Sequence, residues 1–96
     1  MSPFGRWFAG LAAIAAAKVA TALYRLEQGN FSRVKSVRGG VFECKINFDP
    51  GYRVYLGRDG EELIILLGGG SKKRPQADIV AAMDCWQDYQ KRKVRG

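Results

Sequence analysis

Val41-Phe42-Glu43-Cys44-Lys45-Ile46-Asn47-Phe48-Asp49-Pro50-Gly51-Tyr52-Arg53-Val54-Tyr55-Leu56 is the stretch that decides the fold. Phe42, Cys44, Ile46 and Phe48 alternate with Glu43, Lys45 and Asn47, and Tyr52, Val54 and Leu56 alternate with Arg53 and Tyr55. A period of two marks a strand with one buried face. Asp49-Pro50-Gly51 supplies turn chemistry between the two strands. A one-residue slip turns every side chain over, so both apolar sets share a face only across a loop of odd length. A three-residue loop at 49–51 pairs Phe48 with Tyr52, Ile46 with Val54 and Cys44 with Leu56. It sets Asn47 across from Arg53 and Lys45 across from Tyr55, giving a polar face that carries Lys45, Arg53 and Tyr55 together.

Working outward, Gly57–Gly60 reads as a turn, with Glu61 and Glu62 beside it. Leu63-Ile64-Ile65-Leu66-Leu67 is apolar throughout, as expected of a central strand covered on both faces, and Gly68-Gly69-Gly70 is expected to end it. Residues 31–40 read as a basic connector closing on Gly39-Gly40. Residues 5–28 are rich in Ala and Leu without an internal Pro, which favours helix. Phe8, Leu11, Ala15, Val19, Ala22, Leu23 and Leu26 form its apolar stripe. Gly10 permits either one broken helix or a helical hairpin, and Gly29-Asn30 provides a C-terminal stop. Pro75 opens a last helix, on which Ile79, Met83, Trp86 and either Tyr89 or Gln90 repeat at helical spacing. Its basic end, Lys91 to Gly96, is expected to fray. The order is helix or helical hairpin, antiparallel meander of three to four strands, then helix: an α+β chain forming one domain over 1–96.

Arg6 followed by apolar Trp7–Ala17 resembles a short secretory leader. The run is too short to span a bilayer and is interrupted by Lys18, and the helical stripe continues past any cleavage point. No membrane association is expected.

Sixteen Lys and Arg against nine Asp and Glu leave +7, which points to an anionic partner, nucleic acid or an acidic protein segment. Histidine is absent, which excludes Ser-His-Asp and Cys-His nucleophile schemes, an imidazole base and any His-containing zinc site. Cys44 and Cys85 lie in apolar patterns and read as buried free thiols of a reducing, cytoplasmic compartment. The acids form no evident carboxylate pair, and Glu43 reads as a charge partner for Lys45 or a neighbouring strand. Gly68-Gly69-Gly70-Ser71-Lys72-Lys73 lacks the spacer and the Gly-Lys-Ser/Thr ending of a nucleotide-binding P-loop. Two basic sets remain: the sheet-face group Lys45, Arg53 and Tyr55, and Lys72-Lys73-Arg74 before a helix N-terminus. Cations beside free helix-end N–H groups suit phosphate, and aromatics among them can stack on unpaired bases.

Several segments carry a resemblance when read in order. They are Leu26-Glu27-Gln28-Gly29-Asn30, Val34-Lys35, Gly40-Val41-Phe42-Glu43 and Pro50-Gly51-Tyr52-Arg53-Val54-Tyr55. Leu66-Leu67-Gly68-Gly69-Gly70-Ser71-Lys72-Lys73-Arg74, Asp78-Ile79 and Ala81-Ala82 follow. Together, over about residues 6–93, the chain resembles the RelE/ParE toxin superfamily, in its "addiction module killer protein" group related to HigB and phage Gp49-like proteins. The resemblance implies a RelE-like fold and the toxin half of a type II toxin–antitoxin pair. Its partners would be a cognate antitoxin, typically a helix-turn-helix protein, and the ribosome with its mRNA. RelE and HigB relatives cleave mRNA in the ribosomal A site, whereas ParE relatives poison DNA gyrase on the same fold. A non-catalytic, antitoxin-binding remnant is a third reading.

Metal-independent RNA cleavage uses the 2′-hydroxyl as nucleophile and needs a proton acceptor, a donor and cations, with no metal or cofactor. On the family's motif, Arg53 would neutralise the scissile phosphate, Tyr55 would orient a base or the hydroxyl, and Lys72 would serve the catalytic set. Lys45 joins them from the parity argument, as a proton acceptor in its neutral form. Lys35, Tyr52, Lys72, Lys73 and Arg74 would contact RNA phosphate. Relatives commonly carry Gln where Pro75 stands, and they begin with a further strand before the first helix. A sheet edge left without that strand would pair with a partner or with a second copy as a homodimer.

Overall fold

Gly10 divides the N-terminal apolar stretch into two helices in the computed structural model, which describes residues 2–61 and 63–95. Helix α1 spans Pro3–Ala9, and α2 spans Ala13–Glu27. Ser2 caps α1 by accepting the Gly5 N–H at 3.0 Å, with Pro3 pre-set at the first helical position. The far end of α2 closes as the Gly29 stop requires. Gly29, at φ +85°, donates to the Leu26 carbonyl and Asn30 donates to that of Arg25, the paired bonds of a Schellman motif. Ala15, Val19 and Leu26 of the stripe are buried, with Phe8, Leu11, Ala22 and Leu23 packed around them.

Four strands follow, β1 Val34–Ser36, β2 Phe42–Ile46, β3 Tyr52–Asp59 and β4 Leu63–Ser71, in an antiparallel sheet of order β1-β2-β3-β4. Helix α3, Pro75–Arg95, completes an α+β chain. The segment read as a connector therefore carries an edge strand. The loop between β2 and β3 is also longer than expected. Ile46 pairs with Tyr52, Lys45 with Arg53, Cys44 with Val54 and Glu43 with Tyr55, so the loop runs from 47 to 51 and leaves Phe48 outside the ladder. Three residues became five, and because both lengths are odd the two faces are those expected.

One face carries Cys44, Ile46, Val54 and Leu56 against Val19 and Leu26 of α2. The other carries Val41, Tyr55 and Leu67 against Ile79, Ala82 and Trp86 of α3. Here Tyr89 of α3, not Gln90, faces the sheet. The glycines allow this double covering. Gly57 is a strand residue, not part of a turn, and a Cβ on it would stand 2.4 Å from the Trp86 ring. A Cβ on Gly69 would stand 2.3 Å from the Trp7 ring of α1, and one on Gly70 2.2 Å from Asp78 Oδ2 of α3. So β4 does not stop at Gly68-Gly69-Gly70. It continues through them because helices press on it from both sides.

A bulge on β4 lies where Tyr55 faces Gly68 and Leu56 faces Leu66, leaving Leu67 as the extra residue. Ile64 and Leu66 reach the α1–α2 core, and Ile65 and Leu67 the α3 core. The apolar run is thus covered on both faces as expected, but β4 is an edge strand and not a central one. Helix α3 runs to Arg95, where Lys93 closes on Asp59 Oδ1, while Tyr89 donates to Asp59 Oδ2 at 2.7 Å. Glu61 sits at the β3–β4 turn; Glu62 and Gly96 lie outside the described residues.

Two stability tests follow from these contacts. Gly69→Ala is expected to cost ~1–3 kcal/mol by overpacking against Trp7, whereas Gly68→Ala, with open space at its Cβ position, is expected to stay within ~0.5 kcal/mol of the parent in urea denaturation. The Asp59 contact has its own pH signature. Hydrogen bonds from Lys93, then Tyr89, hold the Asp59 carboxyl below its ordinary range, and the bond to Asp59 raises both Lys93 and Tyr89 above theirs. The depressed carboxyl stabilises above its ordinary pKa and loses that contribution as pH falls through the folded value. The raised Lys93 and Tyr89 stabilise below their ordinary values and lose it as pH rises through the folded ones. Asp59→Asn should therefore flatten both the acid and the alkaline limb of a Tm-against-pH curve.

Candidate nucleic-acid interface

Backbone register alone lines up a row of cations. The Lys45 N–H donates to the Arg33 carbonyl at 3.2 Å, Lys45 stands opposite Arg53, and Arg53 stands opposite Gly70. Neighbouring strands are ~4.8 Å apart, so Arg33, Lys45 and Arg53 cross three of them side by side. Like charges placed directly across a ladder destabilise it. Helix α3 packs on β3 and β4, which leaves the β1–β2 half of this face open.

A cleft of 250 Å³ lies at the loop end of the row, lined by Lys45, Ile46, Asn47, Gly51, Tyr52, Arg53 and Lys72. Gly51, at φ +98°, brings Lys72 there: the Lys72 N–H donates to the Gly51 carbonyl at 3.3 Å, and the Lys72 stem lies over Gly51 where a Cβ would sit 3.3 Å from its Cδ. A second cleft, of 290 Å³, adjoins it through Lys45 and is lined by Ser32, Arg33, Val34, Lys35 and Glu43 as well. The two make one basic strip.

Glu43 is buried beneath this strip, with Arg53 Nε 3.3 Å and Lys35 Nζ 3.9 Å from its Oε1. Its charge partners are therefore on the flanking strands, and Lys45 is not among them. The Arg53 contact is an ion pair without hydrogen-bond alignment: Nε and Nη1 are buried with no hydrogen-bond acceptor among the described residues.

Tyr55 does not join the site. It is fully buried in the α3-side core, and its hydroxyl has no hydrogen-bond partner among the described residues. Burial first, then the negative charges of Glu43 and Asp78, push its pKa up to about 12 against the lowering effect of Arg53. It can neither stack on a base nor pass a proton to a bound ligand. The expectation failed because the alternation that puts Tyr55 on the face of Arg53 does not reveal that α3 covers one strand-end of that face.

Lys73 and Arg74 are exposed and line neither cleft. The start of α3, expected to receive phosphate beside them, carries Asp78 in its first turn, packed over Gly70. Burial raises the Asp78 pKa, opposed by Arg74. Lys45, Tyr52, Arg53 and Lys72 do come together, with Lys35 in the adjoining cleft. Tyr52 borders the cleft, but its ring packs on the α1–α2 side of the sheet, 6.2 Å from that of Trp7. Arg33, Asn47 and Gly51 were missed. Arg33 and Lys35 flank Val34 with the same period of two, a strand signal hidden in a segment too short and too basic to stand out. Cys44 and Cys85 are free; Cys44 is buried, Cys85 only half-buried, and they lie on opposite sides of the sheet. Among the described residues no helix is long and apolar enough to cross a membrane.

An uncharacterized protein of Haemophilus influenzae (strain ATCC 51907 / DSM 11121 / KW20 / Rd) is 42% identical over 80 residues, covering 82% of this chain and 81% of that protein. The chain belongs to the same family as that protein. No family model matches it, and no solved structure does.

Tyr55→Phe separates a buried from a catalytic tyrosine. Removing an unpartnered hydroxyl from the core should leave stability unchanged or raise it by ~1 kcal/mol, with any activity retained. Loss of activity in a folded Tyr55→Phe variant would return Tyr55 to the site.

Proposed function

We propose that this chain, in the family it shares with the Haemophilus influenzae protein, is the toxin of a type II toxin–antitoxin pair that halts translation by cutting ribosome-bound mRNA. The observation that carries the reading is the row Arg33, Lys45 and Arg53 ending at Lys72, an open cationic strip on a chain of net charge +7. Crowded cations repel one another, and a phosphate backbone laid across them relieves that repulsion while releasing its own counterions.

In this reading Arg53 and Lys72 bind the scissile phosphate and hold the charge that develops when the 2′-hydroxyl attacks it. Lys45, opposite Arg53 on the neighbouring strand, adds a third cation against that charge. Glu43 keeps Arg53 in place from below. The clefts are shallow and open, so they supply little orientation of their own, and alignment of the RNA falls to the ribosome. An antitoxin would neutralise the protein by laying an acidic segment over the same strip, and a helix-turn-helix protein is the expected carrier.

Burial of Tyr55 favours a second reading, in which the strip binds RNA or an acidic antitoxin segment without cutting. A gyrase poison on the same fold remains the third class.

Induced expression followed by mapping of RNA 5′ ends separates the three. The expected result is growth arrest with cuts phased to the ribosome, relieved by co-expression of the neighbouring open reading frame. Cuts should vanish in Lys45→Ala and in Lys72→Ala. Arg53→Ala is the poorer variant, because it leaves the Glu43 carboxylate buried against a missing partner, a loss of ~3–5 kcal/mol for a buried pair. In binding assays on single-stranded RNA, each lysine variant should weaken all sequences alike and reduce the salt slope by ~0.7. DNA-damage signalling without mRNA cuts would identify a gyrase poison, and antitoxin binding without growth arrest a remnant.

A further inference from the structure

Edge strands are usually short, charged, kinked by Pro or covered. The outer edge of β4 is neither short, charged nor kinked by Pro. β4 runs from Leu63 to Ser71, carries no charged residue and no Pro, and among the described residues has a strand partner only on its β3 side. Leu63, at its start, is half exposed. An edge of this kind takes another strand.

The charges at its two ends say which strand fits. Glu61, with Glu62 next to it in the sequence, precedes β4, and Lys72, Lys73 and Arg74 follow it. Glu61 and the three cations are all exposed. A strand laid antiparallel about a two-fold axis at Leu67, the middle of β4, brings position 61 of one copy to position 73 of the other, twice by symmetry. Acid meets base at both ends. The bulge at Leu67 interrupts the outer ladder only at the axis and leaves four residues on either side to pair.

We propose that two copies of this chain pair through β4, antiparallel, forming a continuous eight-stranded sheet across the two-fold axis. The pairing covers the apolar edge and leaves the β1–β2 strip, at the opposite side of each sheet, open to solvent.

Sedimentation equilibrium of the full chain tests this. The expected mass is twice 10.6 kDa. Glu61→Lys and Lys73→Glu should each turn attraction into repulsion at two symmetric sites and weaken the dimer about tenfold. The double variant Glu61→Lys/Lys73→Glu should restore it. Both changes are on exposed side chains outside the clefts, and circular dichroism verifies that each of the three variants is folded. Hydrogen exchange should show β4 amides gaining protection with rising concentration. A monomer at sub-millimolar concentration would overturn the proposal. So would a dimer indifferent to both single reversals, or one that the double reversal fails to restore. None of these outcomes bears on RNA cleavage, which the lysine variants of the strip test separately.

Discussion

Trp86 resting on the bare backbone of Gly57 is the contact on which the remaining architecture depends. It brings α3 flat against β3 and β4, where Ile79 and Ala82 bury Tyr55 and Leu67. A helix fixed over one half of a four-stranded face cannot cover the other half. The open half is β1 and β2, and its outward cations are Lys35 and Lys45. The site is therefore the uncovered remainder of a core face, and its position follows from where one indole ring can lie. The loop 38–41 adds to this seat, since Cβ atoms on Gly39 and Gly40 would press on Met83 and Trp86.

Electrostatics of that remainder are set by a buried acid. Glu43 stands between Lys35 and Arg53 and removes one charge from a cluster that would otherwise hold five cations, Arg33, Lys35, Lys45, Arg53 and Lys72. Burying a lone carboxylate is costly, and its two partners offset that cost. The pairing is also directional: Arg53 Nε lies 3.3 Å from Glu43 Oε1, and both Nε and Nη1 are buried. Lys45, without that restraint, is exposed and free to follow a ligand.

How far this was legible in the sequence depends on which physical rule was in force. Alternation over 42–56 determined both faces correctly although the loop length was wrong, because parity survives an error of two and register does not. The helical stripe from Phe8 to Leu26 and the Gly29 cap were local patterns and were readable as such. Close approach was not readable. Gly57, Gly69 and Gly70 look like breakers in one dimension, and only the rings and carboxylate set against them make them strand residues. The same blindness to tertiary covering put Tyr55 in solvent. Lys45, Arg53 and Lys72 were brought together by rules that hold within a hairpin, whereas Arg33 needed a three-residue strand that no periodicity window detects.

Lys72 links the two surfaces of the molecule. Its backbone continues β4 and is tied to Gly51, while its side chain crosses Gly51 to line the cleft. Gly70, two residues earlier, lies opposite Arg53 and beneath Asp78. The end of β4 thus carries or abuts two of the cations of the cleft. A strand added along its outer edge would order that end, and ordering a binding group in advance lowers the entropy lost when the ligand arrives. The acid at position 61 of a second copy acts against this, since it would approach the same run of cations and screen the outer ones. Lys73 and Arg74 face away from the cleft and are the cations free to meet that acid, which leaves Lys72 to the ligand. Three consecutive basic residues can therefore serve two surfaces, because one glycine turns the first of them inward.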